Sequence, residues 1–224
     1  MVGRRVNGVP LAYLLGHREF HGLRLGVTPA VLDPRPDTET LVDWALDIAA
    51  GMTRSSLQAP AEAIDLGTGS GAIALAFQAA RPDWRVCATD VSLQALAVAQ
   101  GNATTLGVGV EFRAGHWWDA VPQRRFDLAL SNPPYIAEND PHLPALIHEP
   151  ITALVSGPDG LHDLRQIIAG APTHLRPGGW LLLEHGHDQA EAVAACLTAA
   201  GFTAVSHRQD LAGHRRCTGG CLAR

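Results

Sequence analysis

The sequence predicts an α/β fold: a mostly parallel sheet with helices on both faces and an antiparallel finish. Three observations lead there. Short apolar runs alternate with amphipathic segments along much of the 224 residues, the pattern of repeated strand–helix units. A glycine-rich loop, Asp65-Leu-Gly-Thr-Gly-Ser-Gly71, joins one such run to the segment that follows it. A last pair of strand-like runs comes after a long helix, which suggests an antiparallel end to the sheet. Hydrophobic residues make up 46% of the chain and charged residues 17%, enough apolar content to bury a core of that size.

Taken in order, residues 1–36 show little helical periodicity and many breakers, among them Gly16, Gly22, Gly26, Pro29, Pro34 and Pro36. The segments around Phe20 and over residues 23–27 predict a short β-hairpin. Residues 1–36 therefore read as a hinge and hairpin segment, and 37–224 as the catalytic domain. Asp37 is a candidate N-cap for a helix that puts Leu41, Trp44, Ala45 and Ile48 on one face. Residues 51–61 are polar and rich in breakers, hence a linker. Strands are expected over 63–66, 85–89, 108–113, 126–130 and 180–184, with helices over 71–80, 92–105, 161–174 and 188–200. Ser92 is the natural cap of the second of these helices. Pro177-Gly178-Gly179 reads as a turn, and the final strands fall over 202–207 and near 216–222.

The 17 basic and 22 acidic side chains leave a formal charge of −5. A protein that works on nucleic-acid phosphates is more often basic, so this balance disfavours a DNA or RNA substrate, although a local basic patch can hide under it. Cys87, Cys196, Cys217 and Cys221 form no CxxC pair. His214, Cys217 and Cys221 are close in sequence, but a structural zinc needs a fourth ligand and none is evident, so reduced thiols and no metal are the expectation. The first ten residues lack the apolar core of a signal peptide, and no apolar stretch is long enough to span a membrane. A cytoplasmic protein is expected.

The glycine loop carries the first chemical signal. Its glycines let the backbone come close to a ligand, and the helix it opens offers free N–H groups. The spacing is GxGxG after an acid, not the GxGxxG of dinucleotide sites. Asp65 at the mouth disfavours a pyrophosphate but suits an ammonium, met directly or through water; capping the following helix is its other use. Gly67, Thr68, Gly69, Ser70 and Gly71 form the cradle. Asp90 ends the next strand, where a carboxylate can take both hydroxyls of a ribose. Nicotinamide and S-adenosylmethionine (SAM) sites share that arrangement, so Asp90 indicates an adenosine ligand and no more, and it can equally cap the next helix. Trp117, in the loop Gly115-His-Trp-Trp-Asp119, can stack on a purine; packing beneath the helices is the alternative for it and for Trp118.

The second signal is Ser131-Asn132-Pro133-Pro134-Tyr135 at the end of a strand. Ligands of open α/β sheets bind at the carboxyl ends of strands, so this loop, the glycine loop and Asp90 should face one crevice. Each proline fixes its own φ and restricts the residue before it, which stiffens Asn132 and Pro133. The Asn132 side-chain oxygen and the Pro133 carbonyl can accept two hydrogen bonds from an –NH₂ group, and the Tyr135 ring can cover a planar amide. An amide nitrogen is a poor nucleophile, but two acceptors can aim it at an electrophilic methyl. No strong base is needed beforehand, because the proton becomes acidic only as the new bond forms. Alignment would supply much of the rate. The chain has no GxSxG and no HExxH.

Six stretches together resemble the bacterial peptide-chain release factor N5-glutamine methyltransferases: residues 10–23 (PLAYLLGHREFHGL), 27–42 (VTPAVLDPRPDTETLV), 65–76 (DLGTGSGAIALA), 131–136 (SNPPYI), 148–150 (HEP) and 178–186 (GGWLLLEHG). The NPPY motif alone is shared with methyltransferases of exocyclic amines in DNA and RNA. The DPRPDTE stretch is what points to a protein glutamine, and away from the related ribosomal-protein enzymes. The resemblance implies a seven-stranded class I SAM-dependent methyltransferase fold, SAM as cofactor, and the glutamine of a GGQ motif in release factors as substrate, with no direct nucleic-acid substrate and a monomer. It implies that Gly67 to Gly71, Asp90, Trp117 and Asn132 touch SAM, that Asn132 to Tyr135, with Pro134, hold the glutamine amide, and that Arg35, Pro36, Thr38 and Phe20 shape the pocket. There are departures. Members of that family usually begin with a small helical domain that helps grip the release factor, and this chain starts at its hinge, which implies a missing amino-terminal part. His116 stands where an Asp is common. The tail looks irregular. An inactive SAM-binding protein is the reading of a different class.

Overall fold

The computed structural model describes residues 2–52 and 60–223. Two five-residue helices, α1 (Val2–Val6) and α2 (Leu11–Leu15), precede a hairpin of β1 (His17–Phe20) and β2 (Leu23–Gly26). The hairpin is the one the sequence predicts; the helices are not. Five-residue helices show almost no periodicity, and α2 is held by burial of Ala12 and Tyr13 against Val27, Val31 and Ala95.

The chain then alternates α3 (Glu39–Gly51), β3 (Glu62–Leu66), α4 (Ala72–Ala80), β4 (Arg85–Asp90), α5 (Leu93–Leu106), β5 (Glu111–Ala114) and β6 (Phe126–Ser131). It ends with α6 (His162–His174), β7 (Leu175–Glu184), α7 (Ala190–Ala199), β8 (Phe202–Gln209) and β9 (Arg215–Leu222). Strands pair in the order β5-β4-β3-β6-β7-β9-β8, parallel except for β9, which is antiparallel to both neighbours. This is the seven-stranded class I SAM-dependent methyltransferase fold. The tail that looks irregular in sequence is the inserted strand β9.

Alternation along the strands builds two cores. Leu128, Leu130 and Leu182 pack on one face with Leu41 and Trp44 of α3 and Leu75 and Phe77 of α4. Ile64, Leu66, Ala129, Leu181 and Leu183 pack on the other with Ile167 of α6 and Val193 of α7. Because both faces are covered, β3 and β6 read as nearly unbroken apolar runs. The β1–β2 hairpin adds Phe20 and Leu25 to the first core. Asn102 of α5 ties it down: its Oδ1 accepts from Gly26 N at 2.7 Å, and its Nδ2 donates to Gly26 O and to Ser70 O.

Several local expectations change. Asp37 is not the cap of α3; residues 36–38 form a 3₁₀ turn, Thr38 takes the cap position without a side-chain cap bond, and Asp37 pairs with Arg216 at 3.5 Å. The Pro177-Gly178-Gly179 turn lies inside β7 as an irregularity, with Leu175 opposite Phe126 and Trp180 opposite Leu128. The strand expected over 108–113 begins at Glu111, because Val108 N donates to Ala103 O and finishes α5. Residues 53–59 of the expected linker lie outside the described residues, while Gly51 belongs to α3. Ser92 caps α5 as expected, accepting from Ala95 N at 3.1 Å. Among the described residues no helix is long and apolar enough to cross a membrane.

Candidate functional site

Strand order reverses on the two sides of β3, and the carboxyl ends of β3, β4 and β6 open there on a cavity of about 460 Å³. That volume suits a nucleoside-sized ligand. Its floor is the glycine loop between β3 and α4. Gly67, Gly69 and Gly71 have φ of +73°, +56° and +85°, a region that side chains avoid. Gly67 N and Thr68 N donate to Thr89 O at 2.9 and 2.8 Å, which fixes the loop to β4.

Asp90 lines the cavity from the end of β4. One carboxyl oxygen accepts from Gly69 N at 2.9 Å and the other from Ser92 N at 2.8 Å. Burial raises its pKa, against the backbone N–H groups that lower it.

Trp117 also lines the cavity, in a 3₁₀ turn after β5, with φ at +44°. Its Nε1 donates to Asp163 Oδ1 at 3.2 Å, and Asp163 Oδ2 accepts from Ser156 Oγ at 2.7 Å. A Cβ on Gly67 would stand 2.8 Å from the Trp117 ring, so the glycine is what lets the indole lie over the loop. Trp118 takes the other fate open to the pair: it is buried, donates to Ile167 O at 2.9 Å and stacks on His174.

The SNPPY loop brings Asn132 and Pro134 to the cavity. Asn132 Nδ2 donates to Thr38 Oγ1 at 3.1 Å, so its Oδ1 is the end left to accept. Arg35 and Thr38 complete that side, and Arg35 pairs with Glu149. Pro29 to Leu32, Pro34 and Arg35, which read as part of the hinge and hairpin segment in the sequence, form a wall of the same cavity.

Five expected site residues sit behind the wall instead. Asp65 is fully buried; its Oδ2 accepts from Thr68 Oγ1 at 2.6 Å and from Ala74 N, and its Oδ1 makes no hydrogen bond. Burial pushes its pKa up to about 7. It is a brace under the loop, not an open carboxylate at the mouth. Gly71 serves packing, since a Cβ there would meet Leu75 at 2.9 Å and Ala99 at 3.2 Å. Pro133 is buried. Tyr135 packs against the second core and donates through its hydroxyl to Glu184 Oε1 at 3.4 Å, so its ring does not face the cavity. Phe20 is in the first core, because a fully apolar ring at a hairpin end finds more contact there than at a wet rim.

Sequence reasoning gave no role to Asp163, Glu149 or Glu184. Glu184 does leave a trace: one carboxylate closing the apolar run GGWLLLE in a buried strand. Glu149 meets Asp33 and Arg35, and Asp163 meets Trp117, only across long sequence separations.

A family profile described as "Methyltransferase small domain" matches residues 43–198. The "Release factor glutamine methyltransferase" of Xylella fastidiosa (strain Temecula1) is 51% identical, over 98% of this chain and 79% of that protein. The protein of the same name from Bordetella pertussis (strain Tohama I) is 51% identical, over 99% of this chain and 81% of its own length. Among solved structures, a methyltransferase from Pyrococcus furiosus aligns with a TM-score of 0.67 at 17% identity, covering 99% of this chain and all of that one, a likeness of fold.

Proposed function

The chain belongs to the release factor glutamine methyltransferases, and from that premise we propose how its residues perform the reaction. The enzyme methylates a glutamine of peptide-chain release factors with SAM as the donor. We take the acceptor to be N5, the side-chain amide nitrogen, of the glutamine in a GGQ motif.

The residues fit the cofactor. Gly67 and Gly69, both in left-handed backbone, line the cavity with Thr68 and Ser70, and Asp90 is held beside them by backbone N–H groups. The cradle would take the aminoacyl end, Asp90 the two ribose hydroxyls, and Trp117 the adenine face. Bound there, SAM supplies an electrophilic methyl on a sulfonium sulfur. Asn132 Oδ1 and the Pro133 carbonyl orient the two N–H groups of the acceptor amide, Pro134 and Arg35 shape the opening, and Tyr135 holds the loop from behind. As the N–C bond formed and the sulfur–methyl bond broke, the acceptor amide would become acidic and lose one N–H proton, so no side-chain base is required before attack. The observation that carries this reading is the Asn132 amide, tied at Nδ2 to Thr38 beside the glycine loop.

We read residues 1–36 as a hinge and hairpin segment ahead of a catalytic unit over 37–224, acting as a monomer in the cytoplasm. The formal charge of −5 supports a protein substrate in preference to nucleic acid. Incubation with labelled SAM and a release factor, followed by peptide mass analysis, tests the assignment. The expected result is one added methyl on the GGQ glutamine and none on DNA; an unmodified glutamine would overturn it.

A further inference from the structure

The NPPY loop explains what holds the acceptor amide, but not what holds Asn132. A side-chain amide can turn over and present –NH₂ where an acceptor is needed, which would repel the incoming –NH₂ group. In this structure one contact decides its orientation. Thr38 Oγ1, 4% exposed at the start of α3, accepts from Asn132 Nδ2 at 3.1 Å. Asn132 and Thr38 are 94 residues apart in sequence, so the contact joins the DPRPDTE stretch to the SNPPY loop.

A hydroxyl can donate as well as accept, so Thr38 fixes Asn132 only if its own proton is directed elsewhere. Glu184 provides the place. It ends β7, is 1% exposed, and has the Tyr135 hydroxyl at 3.4 Å from Oε1. Its other oxygen makes no hydrogen bond among the described residues. Burial holds the Glu184 carboxyl up at about 7, and the Thr38 hydroxyl and the Arg216 guanidinium, which favour its ionised form, oppose that shift. Glu184 is thus a buried acceptor that borders both Thr38 and Tyr135, the two side chains that flank the NPP turn.

We propose that Thr38, backed by Glu184, is a positioning residue that locks the Asn132 amide with Nδ2 inward and Oδ1 toward the substrate nitrogen. Neither residue touches the reacting atoms. The lock predicts that a hydroxyl at residue 38 matters and its methyl does not. It rests on the role given to Asn132 above, and two independent readouts separate the two ideas.

In steady-state kinetics with SAM and a release factor, Thr38→Val should lower kcat roughly 10- to 100-fold, the scale of a misplaced reacting group. SAM affinity should stay within about twofold, and Thr38→Ser should restore kcat to within about threefold of the wild type. Glu184→Gln should also lower kcat, and Thr38→Val combined with it should be little worse than the worse single variant, because both act through one contact. Turnover in Thr38→Val equal to the wild type, or Thr38→Ser as impaired as Thr38→Val, would overturn the lock. So would additive effects of the two substitutions. The second readout needs no substrate. In ¹⁵N spectra the Asn132 side-chain –NH₂ should exchange slowly in the wild type and Thr38→Ser and rapidly in Thr38→Val; equal exchange in all three would overturn the lock even if the wild type methylates the release factor. Slow, Thr38-dependent exchange with no methyl transfer by the wild type would keep the lock and sink the substrate assignment.

Discussion

Asn132 and Asp90 divide the labour of the site, and substitution should separate them. Asn132→Ala removes one acceptor for the substrate amide and leaves the glycine loop untouched. Methyl transfer should fall at least about a hundredfold, with the melting temperature nearly unchanged. Equal turnover in Asn132→Ala would remove Asn132 from the mechanism. Asp90→Ala removes the carboxylate that holds Gly69 N and Ser92 N as well as the ribose site. Hydrogen bonds to a charged group are worth about 1.5–3 kcal/mol, so SAM affinity should weaken roughly 10- to 100-fold by calorimetry. At this scale the sequence was informative where chemistry demands a residue type. It pointed to Asp90, Trp117, Asn132, Gly67 and Gly69, which all line the cavity. Phe20 and Tyr135 turn to the core, and Asp65 takes the second use open to it, accepting from Ala74 N in the first turn of α4; the same motif can turn a side chain toward a ligand or away from it, and only packing decides.

The SNPPY loop is rigid at its start because of its prolines and at its end because of its neighbours. Tyr135 N donates to Leu154 O at 3.2 Å, Gln189 Nε2 donates to Tyr135 O at 3.0 Å, and Ile136 bridges to Val155. Gly160 is the tightest part of this brace: a Cβ there would stand 2.2 Å from Tyr135 O, and its φ is +71°. Gly160→Ala should therefore push the loop away from α7 and lower kcat more than it lowers SAM affinity. Thermal unfolding and calorimetry on one preparation would check this, and wild-type turnover in the variant would contradict it. The elements themselves were largely legible. β3, β4, β6 and α5 carry strong apolar patterns and a recognisable cap. The short helices α1 and α2 were not, since five residues give too little periodicity, and neither was the interruption in β7, where a Pro-Gly-Gly sequence reads as a turn whether or not the strand continues past it.

For the whole molecule, two fully buried carboxyls set a pH dependence. Burial raises Glu184 from 4.5 to about 7 and Asp65 from 3.8 to about 7. The folded state binds protons that the unfolded chain has already released, so the stability they contribute is present below about pH 4 and lost as pH rises toward 7. His185, buried and lowered from 6.5 to about 4, works the other way: its neutral form favours folding above 6.5, and that contribution is lost as acid charges it toward pH 4. The net curve mixes the two, but a variant isolates one. Glu184→Gln should gain stability relative to the wild type as pH rises from 5 to 7, with the difference levelling off above that; a pH-independent difference in chemical denaturation would refute the buried-carboxyl account. The fold class was readable from the alternation of strands and helices. Arg35 and Thr38 were expected at the pocket, but the wall built by Pro29 to Leu32 and Pro34 was not, because the contact that holds it, Arg35 with Glu149, forms only after the chain has folded.

Trp117 has one more consequence. Of the five tryptophans it alone borders the cavity, while Trp44, Trp84 and Trp118 are buried and Trp180 packs against the first core. Adenine stacking on that indole would change its emission with little contribution from the others. The enzyme thus carries its own optical gauge of cofactor occupancy: a fluorescence titration needs no label, and Trp117→Phe should silence the signal while the remaining tryptophans still report the fold.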